Sequence, residues 1–306
     1  MTDAPLIAIT GGTGFVGGHV ITAALAAGYR VRALARNPLK LNNLSHPRLT
    51  IFKGALGDND AGFIEGADVI LHMAGLIKAR NRAAFDAVNV TASADLAKTC
   101  NDSRIERFVL LSSMAARAPE LSPYAASKRA GEDAVEDAYS GPLSVIRAPA
   151  VFGPGDEATK PIISAIDRGF LPAPGGRGWR ERYLSLVAVQ DLANDLITRA
   201  VKGDYDGQTV SPATVGQITW PEFAQMASEA VGKPVKAVPI PLSVLYPVAA
   251  VTSALSLSFG RGHLTLGKLR EFLYDDWRSE TLIQSDTSMA DRLSQTLAAY
   301  RSDTKS

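Results

Sequence analysis

The sequence predicts an α/β fold built on a doubly wound parallel sheet, followed by a smaller C-terminal lobe that faces the substrate. Three observations carry this prediction. Short continuous apolar runs, typical of strands buried on both faces, recur between segments long enough to be helices. The first run leads through a glycine-rich turn, "TGGTGFVG" at residues 10–17, into a helix. Past about residue 150 the alternation gives way to the turn-rich stretches "FGPGDE" and "LPAPGGRGWRER".

The first strand is Leu6-Ile7-Ala8-Ile9, and the helix after the turn is expected over Val16 to Ala27. Gly11, Gly14 and Gly17 fall at three-residue spacing between them. The first turn of a helix has unpaired backbone N–H groups and a positive dipole end, so it stabilises an anion wherever no Cβ blocks the approach. Gly11 and Gly14 are read as supplying that room, and Gly17 as letting the helix pack against the strand. The spacing is G-x-x-G-x-x-G, not the commoner G-x-G-x-x-G. A tight strand-to-helix turn with incidental glycines is the alternative.

Further strands are expected at Tyr29–Ala35, Leu49–Lys53, Asp68–Met73, Arg107–Leu111 and Leu143–Arg147, with helices over Ala83–Cys100 and Pro123–Tyr139 among those between. Strands separated by helices imply right-handed crossovers and a parallel sheet, whose ligands bind beyond the carboxyl ends of the strands. Residues 1–150 are therefore assigned to nucleotide binding and 151–306 mainly to a substrate lobe, with 185–202 returning to the first domain.

Bulk properties set the functional class. The 306 residues can bury a large core, and the net charge of +1 gives no electrostatic case for nucleic acid or for an anionic membrane. Cys100 is the single cysteine, so no internal disulfide can form, and four scattered histidines show no metal-ligand spacing. No metal is expected. The N-terminus lacks a signal-peptide layout, so a reducing cytoplasm is the expected compartment. The apolar stretch "PLSVLYPVAAVTSALSLSF", residues 241–259, is long enough to raise the question of a membrane span, but Pro247 and its Ser and Thr residues interrupt it. It is read as a buried or pocket-lining helix, with an interfacial membrane helix as the second reading. Membrane contact is not expected.

The catalytic candidates follow the fifth strand. Ser112 and Ser113 stand at its carboxyl end, and Ser122-Pro123 reads as an N-cap with proline in the first helical turn. Tyr124 and Lys128 then share one helical face. A nearby ammonium favours the phenolate, which makes tyrosine a usable acid or base near neutrality. A serine hydroxyl opposite can hold the substrate oxygen. Tyrosine and lysine also fall four apart by chance on many helices, so the position after the serine pair is what singles these two out.

"TGGTGFVG", "HMAG", the serine pair, Tyr124-x-x-x-Lys128 and "RAPAVFGPGD" occur in the order seen in extended short-chain dehydrogenases/reductases, the NAD(P)-dependent epimerase/dehydratase group. The sequence resembles that family over nearly its whole length, to Asp276 or beyond. The resemblance implies a Rossmann-type fold, with Tyr124 as catalytic acid/base, Lys128 holding the nicotinamide ribose and Ser113, rather than Ser112, orienting the reacting oxygen. Asn89 matches the helix asparagine that supports the lysine through water, or is simply a polar helix residue. The cofactor would lie on Gly11, Thr13, Gly14, Phe15, Val16 and Gly17, on Ala74 and Gly75 of "HMAG", and on Pro149 and Val151. A homodimer is compatible with the family.

Two departures bear on the cofactor. The acidic residue that usually ends the second strand is replaced by Ala35, followed by Arg36. An acid would repel a 2′-phosphate, whereas arginine can pair with it, so NADP is expected, with NAD as the alternative. Arg36 can also stack on adenine or remain solvated. The aspartate usual after the third strand is replaced by Ala55, which leaves adenine contact to the backbone of Ala55 and Leu56.

A sugar-nucleotide dehydratase of the family would carry Thr-Asp-Glu after the serine strand, because elimination needs a further acid and base. Met114, Ala115 and Ala116 stand near there instead. The reading that follows is an oxidoreductase interconverting a carbonyl and an alcohol on a small, fairly apolar substrate. The apolar C-terminal third resembles 3-beta-hydroxysteroid dehydrogenases and flavonoid reductases more than sugar enzymes. The alternatives are a nucleotide-sugar epimerase, in which Arg177, Arg180 and Arg182 bind a diphosphate, and a non-catalytic NADP(H)-binding subunit.

Overall fold

The computed structural model describes residues 4–103, 105–204, 206–259 and 264–304. The chain folds into two compact units, Met1–Ala148 with Leu192–Val210, and Pro149–Asp191 with Ser211–Ser306.

The first half alternates β1 (Leu6–Thr10), α1 (Phe15–Ala26), β2 (Arg30–Ala35), β3 (Leu49–Lys53), α2 (Asp60–Ile64), β4 (Val69–His72), α3 (Arg82–Asp86), α4 (Ser93–Asn101), β5 (Arg107–Ser113), α5 (Pro123–Ala138) and β6 (Leu143–Ala148). The second contains β7 (Ala150–Phe152), α6 (Lys160–Asp167), β8 (Phe170–Pro174), β9 (Tyr183–Ala188), α7 (Val189–Lys202), β10 (Thr209–Val210), β11 (Val215–Thr219), α8 (Trp220–Val231), β12 (Lys236–Ile240), α9 (Leu242–Phe259), α10 (Leu266–Leu273) and α11 (Met289–Asp303).

The first unit is built on a seven-stranded sheet in the order β10-β6-β5-β4-β1-β2-β3. Every pairing in it is parallel, as the runs of apolar residues without polar alternation require. All of β1 and β4 is buried. Strand order reverses between β1 and β4, so the loops leaving these two strands flank the switch point where doubly wound sheets bind ligands. Those loops are the glycine turn and "HMAG".

The helix expected over Ala83–Cys100 is interrupted. A π-helical turn, Ala87–Ala92, separates α3 from α4. It falls where Asn89 is pressed against α5: a Cβ on Gly131 would collide with the Asn89 carbonyl oxygen. One extra residue in the turn sets this approach, and such bulges recur at functional positions.

The second unit has its own core, in which Trp220, Phe223 and Ala227 of α8 meet Ile163 and Ile166 of α6, Leu171 of β8 and Leu293 and Leu297 of α11. Its sheets are β11-β9-β7 and the two-stranded β12-β8. Of the expected returning segment 185–202, Ser185–Ala188 stay in this unit as part of β9, and the first unit instead gains Leu192–Val210. The helix over 241–259 is not buried as the first of its two readings had it. Among the described side chains of α9 only Ala249 is buried, because the fold covers only the stripe through Leu242, Leu245, Ala249 and Thr252. Among the described residues, no helix is long and apolar enough to cross a membrane.

Candidate active site

The three glycines of the turn stand in different surroundings. Gly11 has φ +73°, and a Cβ there would lie 2.7 Å from the Ala74 nitrogen, so its lack of a side chain admits the neighbouring loop. Gly17 serves packing: a Cβ would stand 2.7 Å from Gly12 Cα. Gly14 is the least crowded of the three, since a Cβ there would meet only the Gly11 carbonyl oxygen, at 3.2 Å. It is the N-cap of α1, no side chain caps the helix, and its own N–H donates to the Gly11 carbonyl at 3.0 Å. The first amides of α1, at Phe15, Val16 and Gly17, thus begin a 12-residue helix with its positive end uncovered. Thr13 is exposed beside them. A dinucleotide diphosphate fits this terminus.

The "HMAG" loop is held by a proton inventory that has one solution. Thr10 Oγ1 accepts from the N–H groups of Met73 and Ala74, both at 3.1 Å, so its single proton goes to His72 Nδ1 at 2.7 Å. The ring proton of His72 therefore sits on Nε2 and is donated to Ser93 Oγ at 2.9 Å, which donates to the Val88 carbonyl at 3.2 Å. Burial, with the Lys128 charge as a smaller contribution, pushes the His72 pKa down to about 3, so the ring remains neutral.

Asn89 clamps the same loop from the other side. Its Oδ1 accepts from Leu76 N–H at 2.7 Å, and its Nδ2 donates to the Leu76 carbonyl at 3.1 Å and to Ser127 Oγ at 2.9 Å. These three bonds go to the loop and to α5, not to Lys128. Gly75 lies between: a Cβ on it would stand 3.2 Å from Asn89 Oδ1 and 3.8 Å from Lys128 Nζ.

The two serines ending β5 point to opposite faces, as strand alternation demands. Ser112 is buried and donates a short hydrogen bond to Glu132, whose carboxylate also binds Arg147 Nη2 at 2.6 Å and Nε at 3.1 Å. Ser113 caps the following turn, accepting from Ala115 N–H at 3.2 Å, which leaves its hydroxyl proton to donate. The pair is thus split between an internal ion-pair cluster and the site.

Helix α5 begins as expected, with Ser122 Oγ accepting from Ala125 N–H at 2.9 Å and Pro123 in the first turn. Tyr124 stacks at a tilt on Phe85, with centroids 6.2 Å apart. One turn on, Lys128 Nζ donates to the Leu111 carbonyl at 2.9 Å. Burial pushes its pKa down to about 8, partly opposed by the Glu132 carboxylate. An amine so tuned sits close to the switch between charged and neutral near physiological pH.

The remaining candidates lie further out. Arg36 is exposed at the end of β2 and holds no ion-pair partner among the described residues. Ala55 donates to Asp58 Oδ2 at 2.7 Å and accepts from Asp58 N–H at 3.1 Å, so both of its backbone groups are closed into a turn and the Leu56 backbone is the one left at this edge. Asp58, three residues beyond the position where an acid was sought, supplies a carboxylate that sequence reasoning passed over. Pro149 is buried, and Val151 pairs with Val187; both belong to the second unit. Of the three arginines proposed for a diphosphate, Arg182 is removed: it is buried, donates to the carbonyls of Pro174, Gly175 and Arg177 and pairs with Asp275 at 3.0 Å. Also missed were His72, Arg147 and Glu132. The last had a signal, since it lies one turn beyond Lys128 in "YAASKRAGE".

Residues 7–173 match the model of the NAD dependent epimerase/dehydratase family, and the chain belongs to that family. It is similar to a ceramide reductase of Caulobacter vibrioides, 34% identical over 98% of this chain and 96% of that one. It is also similar to a 3 beta-hydroxysteroid dehydrogenase/Delta 5-->4-isomerase of Mycobacterium tuberculosis, 27% identical over 76% of this chain and 71% of the relative. Among solved structures, a UDP-N-acetylglucosamine 4-epimerase from Methanobrevibacter ruminantium superposes with a TM-score of 0.70 at 21% identity, covering 99% of this chain and 100% of the other, which establishes the shared Rossmann fold. The protein is an NAD(P)-dependent oxidoreductase.

Proposed function

We propose that the protein reduces a ketone, or oxidises the corresponding alcohol, on a long apolar lipid-like substrate, using NADP(H) and the residues Ser113, Tyr124 and Lys128. The observation that carries the chemistry is the half-buried Lys128 ammonium, fixed to the Leu111 carbonyl one helical turn from Tyr124 on α5. The substrate class rests on the near full-length similarity to a ceramide reductase, supported by the steroid dehydrogenase.

NADP(H), when bound, supplies or accepts the hydride. The chain does the rest. The uncapped amides after Gly14 hold the diphosphate, and Gly75 keeps side-chain atoms away from the space over Lys128. Ser113 donates its hydroxyl proton to the substrate oxygen and fixes its position. Tyr124 transfers a proton to that oxygen in the direction of reduction and removes it in the direction of oxidation. Lys128 stabilises the negative charge left on the Tyr124 oxygen as the proton leaves. Asn89 acts as a positioning residue, fixing Leu76 and the Ser127 side chain. Arg36, exposed and without an acid at position 35, pairs with a 2′-phosphate.

The test is a survey of ketones with NADPH, followed at the nicotinamide absorbance. A long-chain 3-ketoamide lipid and a 3-ketosteroid are set against a UDP-sugar. Stoichiometric consumption of NADPH with the lipid ketone is the expected result. Interconversion of the UDP-sugar with no net absorbance change would establish an epimerase. A chain that holds the cofactor and turns over none of the three would be a binding subunit.

A further inference from the structure

The helix that the catalytic reading leaves unused is α9. Its outer face is the reverse of a solvent-facing helix: Val251 is 61% exposed, Val244 50% and Val248 45%, and Tyr246, on another side of the helix, is 45% exposed. No charged residue occurs between Leu242 and Phe259. A helix on the surface of a soluble enzyme normally presents charge there, and contiguous apolar exposure of this kind marks an interaction site. The inner side is occupied, since Thr252 Oγ1 donates to the Leu264 carbonyl and Ser253 Oγ accepts from Leu266 N–H at 2.8 Å, tying the helix to the stretch that starts α10.

The apolar face continues onto the neighbouring ribbon. β12 pairs with β8 in parallel, with Lys236 opposite Phe170 and Val238 opposite Pro172. Leu171 and Ala173, on the other side of β8, are in the core, and the outer side exposes Phe170, Lys236 and Val238.

Charge selects the occupant. From Gly232 to Arg270 the sequence contains Lys233, Lys236, Arg261, Lys268 and Arg270 and no Asp or Glu, in a chain whose net charge is only +1. Lys268 is paired at 3.0 Å with Glu271, the first acid to follow. Lys233, Lys236 and Arg270 are exposed. The loop before β9 adds to this set: Gly175 N–H donates to the Ile240 carbonyl at 3.0 Å, which brings exposed Arg177 and Arg180, with Glu181 beside them, to the start of α9. Binding to a membrane interface grows with buried apolar area and with attraction of cations to anionic lipid, and the exposed apolar face of α9 beside these cations supplies both.

We propose that α9 and the outer face of the β12-β8 ribbon dock the enzyme on the surface of an anionic phospholipid membrane, without spanning it. The proposal does not depend on the substrate reading, and its test measures binding rather than turnover.

The full chain, loaded with NADPH, is sedimented with vesicles of phosphatidylcholine alone and with vesicles containing phosphatidylglycerol. Co-sedimentation with the anionic vesicles, weakened by salt, is the expected result. Val248→Glu with Val251→Glu, at exposed positions that the fold does not need, is expected to lower partition by about tenfold or more. Lys233→Glu with Lys236→Glu is expected to lower it on anionic vesicles only. Circular dichroism and NADPH binding confirm that each variant is folded. Wild-type protein that stays in the supernatant with both vesicle types overturns the proposal. So does equal partition of wild type and both variants, or a dimer in solution that Val248→Glu dissociates, which would assign the face to a second copy of the chain.

Discussion

Replacing Lys128 with methionine is expected to abolish turnover and yet stabilise the folded protein at neutral pH. Methionine keeps the length of the stem and removes the amine. In the folded state burial pushes the amine's pKa from 10.5 down to about 8. At pH 7 the native chain therefore holds this proton less favourably than the unfolded chain, at a cost of about 3 kcal/mol. Against that, the substitution leaves the Leu111 carbonyl without its donor, which costs about 1–2 kcal/mol. Glu132 keeps Arg147 at 2.6 Å in either case. The net gain for the variant is about 1–2 kcal/mol near pH 7. Between the folded pKa of about 8 and the unfolded value of 10.5 the unfolded wild type binds more protons than the native one, so wild-type stability rises with pH across that window. The advantage of the variant should shrink there and vanish by about pH 10. Urea unfolding of both proteins without cofactor, at several pH values, measures this directly. A variant less stable than wild type at neutral pH, or a difference that does not change with pH, would refute the reasoning.

Tyr124→Phe keeps the ring against Phe85 and removes only the hydroxyl, so turnover should fall by about 10²-fold or more while cofactor binding measured by calorimetry stays intact. Arg36→Ala should weaken NADP(H) by about 1–3 kcal/mol and leave NAD(H) nearly unchanged; equal losses for both would remove the 2′-phosphate assignment. Gly17→Ala places a methyl into the turn 2.7 Å from Gly12 Cα. It should lower stability by about 1–3 kcal/mol in chemical denaturation even without cofactor, since its role is packing. Glu132→Gln should cost about 1–3 kcal/mol, because the half-buried Arg147 loses its charged partner and keeps only an amide oxygen, and a melting temperature equal to wild type would exclude that role.

Much of the site was legible because its chemistry follows local order. The N-cap Ser122, Pro123 and the Tyr124–Lys128 spacing lie within one stretch of helix, and helical periodicity alone places both side chains on one face. The glycine-rich strand-to-helix turn was likewise visible from the spacing of Gly11, Gly14 and Gly17, and the structure makes Gly14 the cap of the helix. What was not legible depends on residues far apart in sequence. Thr10 and His72 meet across β1 and β4, and Glu132 finds Ser112 and Arg147 across β5 and β6. The surroundings of Gly11 were hidden for the same reason: a Cβ there would meet the backbone of Met73 and Ala74, more than sixty residues away.

What the sequence by itself determined is the parallel sheet and the helix that carries Tyr124 and Lys128, because a strand buried on both faces must be apolar throughout and a helix repeats its face every turn. Tertiary structure alone decided which serine of the pair remains available. Alternation turns Ser112 and Ser113 to opposite faces of β5, but only the packing of α5 and β6 puts a buried carboxylate on one side. It also decided the fate of the 241–259 stretch. Composition is the same for a core helix and for one lying on the surface, and the difference lies in how much of its circumference the rest of the chain covers. Here the stretch that starts α10 is tied to one stripe, and Val244, Val248 and Val251 are exposed.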